Sequence, residues 1–204
     1  MTKKEILDAI HGQMIISCQA VEGEPLYVEE KSIMYLMARA AKQAGTPAIR
    51  TSSIRDVIAI KEETGLPVIG LVKVQYSGYE GFITPTMKEV DDLVAAGSDI
   101  VALDCTLRKR GDGSTVNEFI AQIREKYPDI ILMADISNYE EGINAWKCGV
   151  DIVGTTMSGY TAYTSSVSDG PDYELMERLS RDINIPVIGE GRIHYPDQAV
   201  KALQ

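Results

Sequence analysis

The sequence predicts an α/β fold, and three observations carry that prediction. Short β-branched apolar runs recur at 14–18, 48–51, 68–73, 100–105, 131–135, 152–156 and 186–191. Most lack polar alternation, which suits strands buried on both faces of a parallel sheet. Segments of helical period lie between them, so strand and helix alternate along the chain. The runs also carry polar residues at their ends, namely Gln19, Arg50, Lys73, Asp104, Asp135, Thr155 and Glu190. In a barrel of parallel strands such ends converge on one mouth, where chemistry is done. No G-x-G-x-x-G follows the first run, so a doubly wound dinucleotide fold lacks its fingerprint. The expected architecture is a (β/α)8 TIM barrel forming one domain over residues 1–204. Only IHYPDQAVKALQ follows Glu190-Gly191-Arg192, so an eighth strand and its helix are expected to be missing from this chain.

The helices are predicted from caps and periodicity. Thr84-Pro85-Thr86 precedes KEVDDLVAAG, where Val90, Leu93 and Val94 share a face and Gly97 ends the helix. Ser114 or Thr115 opens VNEFIAQIREKY, with Phe119, Ile120 and Ile123 at helical spacing and Pro128 as the stop. Ser137 is the expected cap of NYEEGINAWKCG, with Glu140 as its capping-box partner and Gly149 at the end. A weak internal repeat, Gly97-Ser-Asp-Ile-Val and Gly149-Val-Asp-Ile-Val, joins a helix-ending glycine to a turn aspartate and a buried strand.

Composition narrows the function. The 204 residues are 45% apolar and 25% charged, as in an ordinary globular protein. Thirty acids against twenty bases give a net charge of −10, which argues against general nucleic-acid or anionic-membrane binding. No apolar run approaches the length of a membrane span, and the start MTKKEILDAI lacks a signal-peptide core. Cys18, Cys105 and Cys148 are odd in number and are read as reduced thiols of a cytoplasmic protein. His11 and His194 stand far apart, and no His/Cys/Asp cluster has metal spacing.

The candidate chemistry lies at the run ends. Lys73 follows VIGLV, where desolvation or cationic neighbours would bring its pKa into acid–base range. Glu190 ends PVIGE between glycines that let a ligand approach. Together they suggest a two-base proton-transfer pair. Equally, Lys73 snorkels from the mouth and Glu190 pairs with Arg192. Arg50 and Asp135 bind a ligand or fill the upper barrel layer as a salt bridge, and Gln19 orients a hydroxyl or amide. EGRIH offers backbone N–H groups and the Arg192 guanidinium to a phosphate. The basic loop TLRKRGDG (106–113) is expected to be solvated and to close over the mouth. YSGYEGF (76–82) and SGYTAYTSS (158–166) have the composition of substrate-contacting loops.

These residues in this order resemble the bacterial N-acetylmannosamine-6-phosphate 2-epimerase family. The likeness runs through MIISCQA with EPLY (14–27), AIR (48–50), PVIGLVK (67–73), FITPTMKEVDDLVAAGSDIVALD (82–104), LMADIS (132–137), GVDIVGTTMSGYT (149–161) and PVIGEGRIH (186–194). The resemblance implies a barrel of the phosphate-binding kind, no metal and no organic cofactor. It also implies a cytoplasmic role in sialic-acid and aminosugar catabolism. By position, Lys73 and Glu190 would be the acid–base pair. Gln19, Arg50 and Asp135 would hold and polarise the sugar, and Gly191 and Arg192 would belong to the phosphate cradle. The expected partner is a small sugar phosphate, with no nucleic acid and no membrane. Self-association, as a homo-oligomer and specifically a dimer, is expected because a seven-stranded barrel exposes two strand edges. The competing readings are another phosphate-binding barrel enzyme (a pentose-phosphate epimerase or a Schiff-base aldolase) and a shortened, non-catalytic sugar-phosphate binder.

Overall fold

The computed structural model describes residues 1–165 and 170–204. Ser166, the last residue of the tyrosine-rich loop singled out above, lies outside the described residues. Seven strands form one sheet: β1 (Ile16–Ser17), β2 (Ile49–Ser52), β3 (Val68–Leu71), β4 (Ile100–Asp104), β5 (Ile131–Asp135), β6 (Ile152–Gly154) and β7 (Val187–Ile188). Each overlaps one of the seven predicted runs, and β2 extends one residue past its own, to Ser52. Their spatial order is their chain order, and every pairing is parallel. Parallel neighbours need a crossover at each step, and right-handed crossovers put the connecting helices on the same face. A sheet wound this way curls into a TIM-barrel-like arc. Among the described residues, β1 and β7 are its two edges.

The helices are α1 (Lys3–Ile10), α2 (Met34–Gln43), α3 (Ile54–Thr64), α4 (Met87–Ala95), α5 (Val116–Lys126), α6 (Tyr139–Lys147), α7 (Tyr173–Asp182) and α8 (Pro196–Ala202). Because successive strand residues face opposite ways, the buried side chains sort into two layers. Val68, Val101, Leu103, Leu132 and Val153 pack outward against the helices, with Phe119, Ile120 and Ile123 of α5 among their partners. Ile69, Ile100, Ile131, Met133 and Ile152 pack on the inner side, where Ile6 and Ile10 of α1 join them.

The internal repeat has a shared geometry. Asp99 accepts the Val68 N–H at 2.8 Å and pairs with Lys61 of α3 at 2.7 Å. Asp151 accepts the Leu132 N–H at 2.9 Å and pairs with Arg124 of α5 at 2.6 Å. Each aspartate ties the start of its own strand to that of the preceding strand and to the helix before it. One predicted cap needs correction. The N-cap of α6 is Asn138, whose side chain accepts the Glu141 N–H. Ser137 instead donates its own N–H and Oγ–H to Glu141, each at 2.7 Å. The reason is one of reach: with the helix starting a residue later, Glu141 rather than Glu140 stands at its third position.

Candidate active site

The two-residue period of a strand decides which side chains enter the inner space. On β5 the inward series is Ile131, Met133, Asp135, and on β6 it is Ile152, Gly154, continuing to Thr156. The same step runs from Ile15 to Gln19, from Ala48 to Arg50, from Ile69 to Lys73 and from Ile188 to Glu190. Each series starts apolar and ends polar. The inner face is therefore greasy toward the N-terminal strand ends and charged toward the C-terminal ends.

The centre of this polar end is a buried ion pair. Arg50 Nη2 donates to Asp135 Oδ2 at 2.7 Å, with the two side chains 4% and 0% exposed. Arg50 Nη1 rests 3.4 Å from Met133 Sδ, and Thr156 Oγ1 donates to Asp135 Oδ1 at 2.6 Å. Gly154 makes room for this arrangement, because a Cβ there would run into Met133 Cε and lie 3.4 Å from Asp135 Oδ1. Burial pushes the Asp135 carboxyl above the ordinary aspartate value. Arg50 opposes that shift and the nearby Glu190 charge adds to it. Burial works against the Arg50 charge too, but the Asp135 and Glu190 carboxylates outweigh it. The guanidinium has no accessible neutral form, so the carboxyl is the partner that titrates.

Glu190 follows β7 and is half-buried. Its N–H donates to Thr155 Oγ1 at 3.1 Å, and Thr155 Oγ1 donates to the Glu190 carbonyl at 2.9 Å. Its carboxylate makes no ion pair among the described residues, so the pairing with Arg192 weighed from sequence is not formed. Three buried polar atoms at this end, Gln19 Oε1, Arg50 Nε and Glu190 Oε2, have no hydrogen-bond partner among the described residues. Leaving such atoms unmade costs about 1–3 kcal/mol each, and they cluster where a polar ligand would satisfy them. The amide end of Gln19 is tethered, with Nε2 donating to Ser17 Oγ at 2.7 Å.

Lys73 sits in different surroundings. It lies two residues past β3 and forms an isolated antiparallel bridge with Ile83, where residues 72–84 fold back as a hairpin. Its side chain is exposed, which removes the desolvation expected from the apolar run before it. The turn of the hairpin carries Lys73 beyond the packed sheet. It lines an open cleft of about 350 Å³ with Glu22 and Tyr27 after β1 and with Ser52, Ser53 and Arg55 where β2 passes into α3. Ser53 has φ 83° and ψ 145°, a strained backbone for a residue with a Cβ.

At the other side, Gly191 (φ 101°) and Arg192 (φ 56°) bend the chain sharply after Glu190. The Arg192 guanidinium lies flat on Gly159, where a Cβ would come within 2.6 Å of Nη1. The expectation for loop 106–113 is corrected in part. Arg108 Nη2 pairs with Asp104 at 2.5 Å, and Arg110 is buried, bonded to the Pro85 carbonyl and 4.0 Å above the Phe119 ring. Those two cations are spent on internal contacts, while Leu107, Lys109, Gly111, Asp112 and Gly113 are exposed, so the loop is pinned by its arginines and solvated along the rest. The cysteines are free, and burial raises Cys18 to about 11, which leaves it a poor nucleophile. Both histidines are exposed. Among the described residues no group of three or more His, Cys, Asp or Glu side chains could hold a metal ion. No helix is long and apolar enough to cross a membrane among them.

Sequence reasoning placed Thr155 at the mouth and passed over Thr156, Met133 and Gly154. The two-residue period counted back from Asp135 reaches Met133, and counted on from Ile152 it reaches Gly154 and Thr156.

Residues 34–204 match the family described as "Putative N-acetylmannosamine-6-phosphate epimerase". A "Putative N-acetylmannosamine-6-phosphate 2-epimerase" from Caldanaerobacter subterraneus subsp. tengcongensis is 52% identical over 200 residues, spanning 98% of this chain and 83% of that protein. A relative of the same name from Clostridioides difficile is 47% identical over 199 residues, spanning 98% and 87%. The solved N-acetylmannosamine-6-phosphate 2-epimerase of Clostridium perfringens has a TM-score of 0.90 and 47% identity, covering 97% of this chain and 84% of that one.

Proposed function

The chain belongs to the N-acetylmannosamine-6-phosphate epimerase family, and from that premise we propose that it interconverts N-acetylmannosamine 6-phosphate and N-acetylglucosamine 6-phosphate. The observation that carries this reading is the polar end of the inner face. Gln19, Arg50, Lys73, Asp135 and Glu190 all follow the inward period, and three of them leave a buried polar atom without a partner.

The chemistry asks for what these residues supply. Inverting C2 means removing a hydrogen from carbon, which is feasible when the ring is open and C2 is α to the C1 carbonyl. One base takes the proton from one face, and a conjugate acid returns a proton to the other. Lys73 and Glu190 are the two groups with proton-transfer chemistry and no ion pair of their own among the described residues. Negative charge builds on O1 as C2 loses its proton, and preorganised donors lower that barrier. Arg50 supplies them through its unpartnered Nε, while Gln19 Oε1 accepts a hydroxyl or amide hydrogen of the sugar. Asp135 is fully buried with both oxygens engaged, so it acts on the sugar through Arg50. Gly191 and Arg192 receive the phosphate on the β7 side. The reaction is redox-neutral, and two protein bases account for it without a cofactor.

In the same reading the seven strands belong to a (β/α)8 barrel of one domain, at work in the cytoplasm on a small sugar phosphate. The reading includes a homodimer, in which β1 and β7, the edges of the sheet among the described residues, are where a second copy would pack. The deciding experiment is proton NMR of N-acetylmannosamine 6-phosphate with this chain in D₂O. The expected result is the gluco epimer carrying deuterium at C2. Exchange at C2 without epimerisation would show one base working alone, and no exchange at all would overturn the assignment.

A further inference from the structure

Two consecutive threonines after β6 stand outside the roles assigned so far, yet one holds the Asp135 carboxylate and the other the backbone that carries Glu190. Thr156 Oγ1 donates to Asp135 Oδ1 at 2.6 Å, opposite the oxygen that receives Arg50. Thr155 Oγ1 accepts the Glu190 N–H at 3.1 Å and donates to the Glu190 carbonyl at 2.9 Å. Regular β6–β7 pairing ends just before this point, with the Thr155 N–H on the Ile188 carbonyl at 3.2 Å. Beyond it the chain passes through Gly189, Glu190 and Gly191, and glycines on either side give Glu190 a permissive backbone. Among the described residues, the Thr155 hydroxyl is the sole hydrogen-bond partner of the Glu190 main chain. From these contacts we infer that Thr155 and Thr156 are positioning residues, Thr155 clamping the backbone that carries Glu190 and Thr156 locking the carboxylate that orients Arg50.

The inference rests on the roles given above to Arg50, Asp135 and Glu190. It accounts for why two hydroxyls are needed side by side. A carboxylate holding a guanidinium by one oxygen is free to rotate about its last bond until a donor engages the other. A base on a glycine-flanked strand end loses effective concentration at C2 unless its backbone is fixed, and loose geometry is costly to rate. Threonine suits both tasks, because its branched Cβ restricts χ1 and its hydroxyl both donates and accepts.

The test compares Thr155→Val, Thr156→Val and the serine variants with the wild-type chain. Thr156→Val is expected to lower kcat by about 10- to 100-fold, as for a lost hydrogen bond to a charged group, with a smaller change in KM. The acid limb of its pH profile should move to higher pH, and Thr156→Ser should recover most of the rate. Thr155→Val is expected to lower kcat about tenfold and to change the ratio of C2 deuterium exchange to epimerisation, since one of two bases is displaced. A purely structural loss would lower the active fraction and leave that ratio and the pH profile in place. Two readouts do not depend on turnover. Carboxyl ¹³C NMR should show Asp135 titrating at higher pH in Thr156→Val, and hydrogen exchange should show the Glu190 amide about tenfold less protected in Thr155→Val. Unmoved Asp135 titration together with unchanged Glu190 exchange would overturn the inference, even in a chain that proved inactive. An active wild type with valine variants of wild-type kcat, KM and pH profile would overturn it as well. An inactive wild type whose two NMR readouts shift as expected would defeat the epimerase reading and leave the clamps standing.

Discussion

The two sides of the mouth are built differently. On the β5–β7 side, Asp135 is closed off from solvent, both its oxygens have donors, and Glu190 is clipped at its backbone. On the β1–β3 side, Lys73 is exposed in an open cleft and makes no ion pair among the described residues. One side is organised before any ligand arrives, and the other leaves Lys73 exposed without an ion-pair partner among the described residues. The contrast suits a two-base inversion in which one base holds a fixed line to C2 and the other meets the sugar from the open side. It also explains why the buried side carries the electrostatic cost, since burial matters only for groups that cannot reach water.

The largest test of this contrast is to remove either base. Lys73→Ala and Glu190→Ala are each expected to cut epimerisation by about 10²–10⁴-fold, the usual worth of general acid–base participation, with circular dichroism unchanged. Near-normal turnover in D₂O by either variant would break the two-sided picture. The next effect is on stability. Asp135→Ala leaves the Arg50 charge buried without its partner and should cost about 3–5 kcal/mol, read from the urea midpoint. Lys73→Ala, on the open side, should stay within about 0.5 kcal/mol, because that side chain is exposed and makes no ion pair among the described residues. Equal losses would mean that the two sides are not organised differently.

A third test uses pH. The Asp135 carboxyl titrates above the ordinary aspartate range because it is buried. Its folded form therefore holds a proton more tightly than the unfolded chain does. The stability it contributes is fully present below the unfolded value and is lost as pH rises through the folded one. Activity should move the opposite way across that window, because the Arg50 clamp needs the carboxylate. A kcat/KM acid limb at the ordinary aspartate value would remove Asp135 from the mechanism. The smallest effect expected is at Ser53. Glycine there relieves the strain of φ 83° at the loss of the cap to Asp56, for a net gain of about 1 kcal/mol. Thermal unfolding that shows Ser53→Gly less stable than wild type would mean that the cap outweighs the strain.

Much of this molecule was legible as a string. The seven runs became seven strands because short β-branched apolar stretches, too brief for a buried helix, suit the two-faced burial of a parallel sheet. The caps at Thr86 and Thr115 were readable because a capping box is a contact between residues three apart. The α6 cap was misplaced by one residue, since Ser137 and Asn138 are both competent caps and only the helix start chooses between them. Gln19, Arg50, Lys73, Asp135 and Glu190 stood out as polar ends of apolar runs, and the inward period gave each the same facing along its own strand.

What local spacing determined, then, was which residues are strand, which are helix and which faces are apolar. These follow from periods of two and 3.6 residues that any short window contains. Tertiary structure alone decided that Arg50 meets Asp135 across 85 residues, that Gly154 opens the space for Met133 and Asp135, and that Thr156 rather than Thr155 reaches the carboxylate. It likewise decided that Lys73 stands in the open, because the hairpin of residues 72–84 turns away from the sheet. Such contacts depend on the register between distant strands and on the volume left between their side chains. Neither quantity exists until the sheet has closed around its core.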